Sequence, residues 1–210
     1  MTAPGEAAER VRIIDAAYRC LAAANGVPVT AGDVAAAAGL PDEAFGRHFA
    51  SKDALLLAMF RRDGALLTAE MRSWAASAAG PPEALRAVVD GMLRITADDR
   101  RRRRALALTS GEAVRARGCT EERARAVAEQ EALIAGILAA GVADGSLPWA
   151  DPEPDARSIR AALGRAFEHQ LAGTARESAS AAAAQLTAFL FRALGVRSAN
   201  GRTMTNVIGG

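Results

Sequence analysis

Aromatic side chains are scarce in this chain: six Phe, two Trp and one Tyr, 4% of 210 residues. Ala is abundant, β-branched runs are few, and no alternating apolar–polar pattern persists for six residues. That excludes a β-sandwich and favours closely spaced helices. Cysteine is scarcer still. Cys20 and Cys119 are too few and too far apart for a disulfide framework or a zinc site. Cys20 falls on the apolar side of the first predicted helix and is expected to be a buried free thiol. There are only two histidines, far apart, and there is no G-x-S-x-G elbow and no Gly-rich phosphate loop. No catalytic residue, metal or cofactor is therefore expected, and the chain does not read as an enzyme. An apolar N-terminal segment and a long uncharged run are both missing. The expectation is no membrane span and a cytoplasmic protein.

Charge of one sign is also lacking. Lys and Arg number 26 against 24 Asp and Glu, a net charge of +2, too small to imply nucleic-acid binding. Through residue 53 the balance reverses: five basic residues (Arg10, Arg12, Arg19, Arg47, Lys52) face seven acidic ones (Glu6, Glu9, Asp15, Asp33, Asp42, Glu43, Asp53). A surface that neutralises phosphates normally shows the opposite.

What is present is helical periodicity. Residues 1–8 are small and polar and are expected to be disordered. A first helix is predicted over Glu9–Ala24, with Val11, Ile14, Tyr18 and Leu21 on its buried stripe and Asn25-Gly26 as its stop. Thr30 is a good N-cap for a second helix whose apolar face is Val34, Ala35 and Ala38. Gly39 supplies the backbone freedom for a sharp corner into a third helix with Leu40, Phe45 and Phe49 on its inner side. Ser51 caps a fourth, running to about Ala76, with Leu56, Phe60 and Leu67 on one face and Leu55, Met59 and Leu66 on the next. Gly80-Pro81-Pro82 marks the clearest boundary.

Beyond it, Leu85, Val88, Val89, Met92, Leu93 and Ile95 form a strongly apolar helix, and Asp98-Asp99 cap the next. A long helix is predicted from Thr120 to about Ala143, ended by Asp144-Gly145 and Pro148. Two last helices span about Asp155–Ala172 and Ser178–Leu194, rich in small residues that permit close approach. Arg100–Arg104 point to every side of a helix, so they cannot form one basic stripe; a solvated, acid-paired helix start is expected.

Two short helices around a tight turn near the N-terminus point to DNA binding, with the second helix in the major groove. The stretch resembles the helix-turn-helix region of TetR-family (tetracycline-repressor-like) transcriptional regulators. The matching residues are Thr30, Asp33-Val34-Ala35-Ala36-Ala37-Ala38-Gly39-Leu40, Phe45, Arg47-His48-Phe49 and Ser51-Lys52-Asp53-Ala54-Leu55. The resemblance covers roughly residues 9–60. It implies an all-α fold: a three-helix head (1–50), a linking helix (51–80), a larger helical effector-binding and dimerisation body (81–196) and a flexible tail (197–210).

The resemblance also implies DNA contacts from Thr30, Asp42, Glu43, Ala44, Arg47, His48 and Lys52. Thr30 and Lys52 sit at helix N-termini, which suit phosphate. Where family members often carry Ser-Arg-Gly-Thr and then a phosphate-contacting Tyr, this chain has Pro41-Asp42-Glu43-Ala44 and Gly46. The acids favour the helix dipole and can accept from cytosine N4. Gly46 loosens the helix by about 1 kcal/mol relative to Ala.

Family bodies generally enclose a small molecule. The residues expected to line such a pocket are Trp74, Met92, Leu106, Ile134, Leu138, Phe167 and His169, with Trp149 as a lid or plug. Implied partners are a pseudo-palindromic double-stranded operator, an unidentified small effector and a second copy of the chain, paired through the last two helices. The expected function is a ligand-responsive repressor of its own or a neighbouring gene. The alternative is a small-molecule-binding or partner protein whose head has weak or lost DNA affinity.

Overall fold

Caps and apolar spacing decide where each helix begins. In the computed structural model, which describes residues 4–24 and 27–196, helices follow one another and no strand occurs among the described residues. Helix α1 spans Pro4–Ala23. It starts earlier than expected, so residues 4–8 are its first turns and not part of a disordered leader. Ile13, Ile14, Ala16, Ala17, Tyr18 and Leu21 are buried, whereas Val11 is 47% exposed and leaves the predicted stripe. The expected stop at Asn25-Gly26 and the expected tail at 197–210 lie outside the described residues.

Helix α2 (Ala31–Ala37) opens with a full capping box: Asp33 N donates to Thr30 Oγ1, and Thr30 N donates back to Asp33 Oδ2. Gly39 turns the corner at φ +65°, a conformation that L side chains rarely adopt. Helix α3 (Asp42–His48) follows, with Pro41 as its N-cap and Ala44 and Phe45 buried. Helix α4 (Lys52–Ala76) is capped by Ser51, whose Oγ accepts from Ala54 N at 3.1 Å. Leu66, predicted on a buried face of α4, is 49% exposed.

Helix α5 (Pro81–Arg94) begins on two prolines that need no N–H partner at a first turn. A 3-10 turn (Ile95–Ala97) leads to α6 (Asp99–Thr109), capped by Asp98. A short helix absent from the sequence reading, α7 (Gly111–Arg115), is capped by Ser110. Then come α8 (Cys119–Ala143), α9 (Pro152–Ala172), ended by Gly173 at φ +70°, and α10 (Ala179–Ala193), capped by Ser178. By length and mean hydropathy α8 alone among the described helices is apolar enough to cross a membrane. Ile134 and Leu138 of this helix are packed in the protein core, with Leu133 and Ile137 partly buried against it.

Packing divides the chain differently from the turn at Gly80. The first core joins α1–α3 and the start of α4 (Leu55, Leu56, Met59) to Ala107, Ala113, Ala116 and Cys119. The segment 107–119 thus folds back onto the head. The second core gathers Met71 of α4 with α5, the C-terminal half of α8, α9 and α10. Helix α4 runs through both. Cys119 is buried, but Cys20 is only partly so, its Sγ lying 3.8 Å from Asp33 O.

Candidate functional site

In the head, α2 and α3 are held by side chains of α1. Arg12 Nη2 donates to Ala38 O (2.7 Å) and Gly39 O (3.1 Å), and Arg19 Nη2 donates to Ala37 O (2.8 Å). Both arginines satisfy carbonyls that the end of α2 leaves without helical partners. His48 Nε2 donates to Glu9 Oε2 at 2.9 Å, and Arg47 reaches the same oxygen at 3.3 Å. Those bonds, His48's first and then Arg47's, hold the Glu9 carboxyl below its ordinary range.

Lys52 donates to Val29 O (2.8 Å) and forms an ion pair with Glu112 of α7. Thr30 is exposed but engaged with Asp33, whose carboxyl the Thr30 N–H and hydroxyl hold low. Asp42 and Glu43 are exposed on the first turn of α3. Ala44 is 0% exposed and faces the core, which corrects its expected place among DNA contacts. Of the basic side chains in the head, Arg12, Arg19, His48 and Lys52 are therefore turned to internal partners. That organisation depends on residues far apart in sequence, and local pattern gives no sign of it.

In the Arg100–Arg104 run, Arg100 and Arg103 are exposed, while the other three reach partners on other helices. Arg101 pairs with Glu70 of α4, Arg102 Nη2 donates to Leu171 O of α9 (2.9 Å), and Arg104 pairs with Asp15 of α1 (3.2 Å). Arg104 also stacks on the Tyr18 ring, 4.9 Å from its centroid. Because neighbouring helical residues point in different directions, these three arginines tie α6 to three helices.

Beside this hub lies a cleft of about 240 Å³. Three helices present one face to it at the same spacing: Phe60, Asp63, Gly64 and Leu67 of α4; Arg101, Arg104, Ala105 and Leu108 of α6; Arg123, Ala126, Val127 and Gln130 of α8. Arg160 and Phe167 of α9 complete it. Asp63 Oδ1 and Tyr18 Oη are each buried without a hydrogen-bond partner. Burial pushes the Asp63 carboxyl above its usual range, against the pull of Tyr18 and of Arg104 and Arg62. Burial, with Asp63 beside it, also pushes the Tyr18 phenol up.

Of the residues expected to line a pocket, Phe167 stands on this cleft. Met92, Ile134 and Leu138 are core residues at 3%, 0% and 0% exposure and do not stand on this cleft. Trp74 packs against Gly91, and Leu106 is half-buried on α6 away from the cleft. His169 bonds Thr174 Oγ1 through Nδ1 at 2.9 Å, at the end of α9. Trp149 is 71% exposed and lies along Gly195, outside the cleft. The cleft's own signature was in the sequence: small or polar residues on otherwise apolar helices, Asp63-Gly64 in α4, Gln130 in α8, Arg160 with Gly164 in α9.

Residues 13–59 match the family described as "Bacterial regulatory proteins, tetR family". No curated protein matches the chain by sequence. Among solved structures, the fatty acid degradation regulator FadR from Bacillus halodurans superposes with a TM-score of 0.75 at 19% identity, over 94% of this chain and 100% of that one. FadR from Bacillus subtilis, in complex with stearoyl-CoA, gives 0.73 at 18% identity, over 87% and 98%. The SmeT–triclosan complex gives 0.77 at 20% identity, over 94% and 96%. At such identities these likenesses speak for the fold. The chain thus carries a head that matches the tetR-family regulators over residues 13–59, on an all-helical architecture shared with these solved structures.

Proposed function

We propose that the protein is a ligand-responsive repressor that binds an operator through α2 and α3, acts as a cytoplasmic homodimer, and is controlled from the cleft. The observation that carries this reading is the continuity of α4: it opens at the head beside α3 and forms a wall of the cleft, while α6 joins the same cleft to α1. A ligand that prefers one arrangement of α4 and α6 thereby changes the spacing of two heads, and DNA affinity falls through differential binding to two conformations. Related structures bind stearoyl-CoA and triclosan, which supports a small apolar or amphipathic effector. Two-fold pairing is supported by α10, where Ala184, Gln185, Ala188, Phe189 and Arg192 are exposed.

The direct test is fluorescence anisotropy with DNA flanking the gene, at several salt concentrations. Saturable, sequence-selective binding that weakens steeply with salt is expected. Binding indifferent to sequence would overturn it and favour the second reading, a sensor whose head has lost DNA affinity. One observation speaks for that alternative: Lys52 and His48 are engaged internally while Asp42 and Glu43 face outward.

A further inference from the structure

The cleft is not electrically neutral in detail. Four arginines and two acids stand on its walls. Arg101 and Arg104 are neutralised by Glu70 and Asp15. Glu122 is held by Arg61 (2.9 Å) and by Arg125. Asp63 lies beside Tyr18 and among the charges of Arg104, Arg62 and Arg101, and burial holds its carboxyl above its usual range. Arg123 is exposed and stacked on Phe60, its guanidinium 5.0 Å from the ring centroid.

That leaves Arg160. It is half-buried, and among the described residues no carboxylate lies within ion-pair distance of it. Its Nε donates to Oε1 of the buried Gln130 at 2.6 Å. A Cβ on Gly164, one turn on, would lie 2.7 Å from Arg160 Nη1, so glycine there lets the guanidinium keep this place without shifting. Glu131 and Glu168 favour its charge from beyond pairing distance, but desolvation outweighs them and lowers its pKa. A half-buried cation without a counter-ion is costly, and a ligand that supplies one removes the cost.

We infer that the cleft takes an amphipathic monoanion, an apolar tail against Phe60, Leu67 and Phe167 with a carboxylate-type head on Arg160. The inference rests on the cleft being the effector site. Arg160 is the half-buried guanidinium of the cleft without a carboxylate, whereas Arg123, also without one, is exposed, where water screens its charge. Fixed by Gln130, the Arg160 fork presents its remaining N–H groups in the plane that a carboxylate accepts.

Three probes share a ten-carbon tail and differ in the head: decanoate, decanol and decyltrimethylammonium. Titration calorimetry on the full chain is expected to rank decanoate first and the cation last. Arg160→Gln should weaken decanoate about ten- to hundredfold and leave decanol unchanged, while Arg160→Lys retains most of the preference. Circular-dichroism melts establish that each variant folds, and Arg160→Lys keeps the test open if Arg160→Gln does not. Equal binding of all three probes, blocked by the cleft-filling Ala105→Phe, would overturn the anionic head yet keep the cleft as the site. Binding of none, or binding that neither Ala105→Phe nor Val127→Phe diminishes, would overturn the cleft itself.

Discussion

A lysine at a helix N-terminus has two rival partners, and Lys52 shows which one the fold supplies. The sequence places it beside Ser51, where a phosphate would be welcome. Glu112, 60 residues away, occupies it instead, and so couples the start of α4 to α7. Glu112→Gln removes the rival carboxylate. DNA affinity is expected to rise, with the salt slope steeper by about 0.9 for one added phosphate contact. Lys52→Ala should erase the gain; an unchanged slope would make Lys52 structural only. The caps at Thr30 and Ser51 were legible because cap and partner lie three residues apart, whereas this pair was not. Asp63 carries a second residue-scale consequence. Its folded-state pKa is raised, so the folded state is favoured at acid pH and loses stability as pH rises through that value. Asp63→Asn is expected to flatten this decline of Tm between pH 4 and neutrality, measured by thermal melts in buffers of equal ionic strength. A decline that persists unchanged would assign it to another group.

At the scale of the element, two glycines with opposite surroundings separate helix propensity from packing. Gly46, inside α3, would meet nothing within 4 Å if it carried a Cβ. Gly46→Ala is expected to stabilise the protein by about 1 kcal/mol through propensity alone. Gly91, inside α5, would place a Cβ 2.4 Å from the Trp74 ring. Gly91→Ala should destabilise by about 1–3 kcal/mol because the indole must move within a packed core. Urea melts of both variants check the two signs. Elements with strong local signals were legible: α4, α5, α8 and the turn at Gly39 follow from caps, periodicity and a required positive φ. Helix α7 was not, because five residues carry too little periodicity and only Ser110 announces it. The arginines of α6 were visible as a run, but their partners on α1, α4 and α9 exist only once the helices are packed.

At the scale of the molecule, the decisive feature is that neither core belongs to one stretch of chain. The head is completed by residues 107–119, and α4 contributes to both cores, so the head does not move free of the body. On the function proposed above, a signal from the cleft acts as a shift of packed helices. It needs a second chain to become a change in the spacing of two heads. The surface offered for that pairing is α10. Phe189 is 57% exposed there, an aromatic left in water on a helix whose neighbouring exposed residues Ala184 and Ala188 are small enough for close helix approach. Sedimentation velocity of the wild-type chain at micromolar concentration is expected to report a dimer. Phe189→Glu places a charge at the centre of the pairing surface without touching either core, so it should yield a folded monomer with an unchanged helical spectrum. That monomer keeps its cleft but binds only half an operator, and its DNA affinity should fall while its ligand affinity holds. A monomeric wild type would break the spacing mechanism outright. A dimeric Phe189→Glu variant would move the interface off this face of α10.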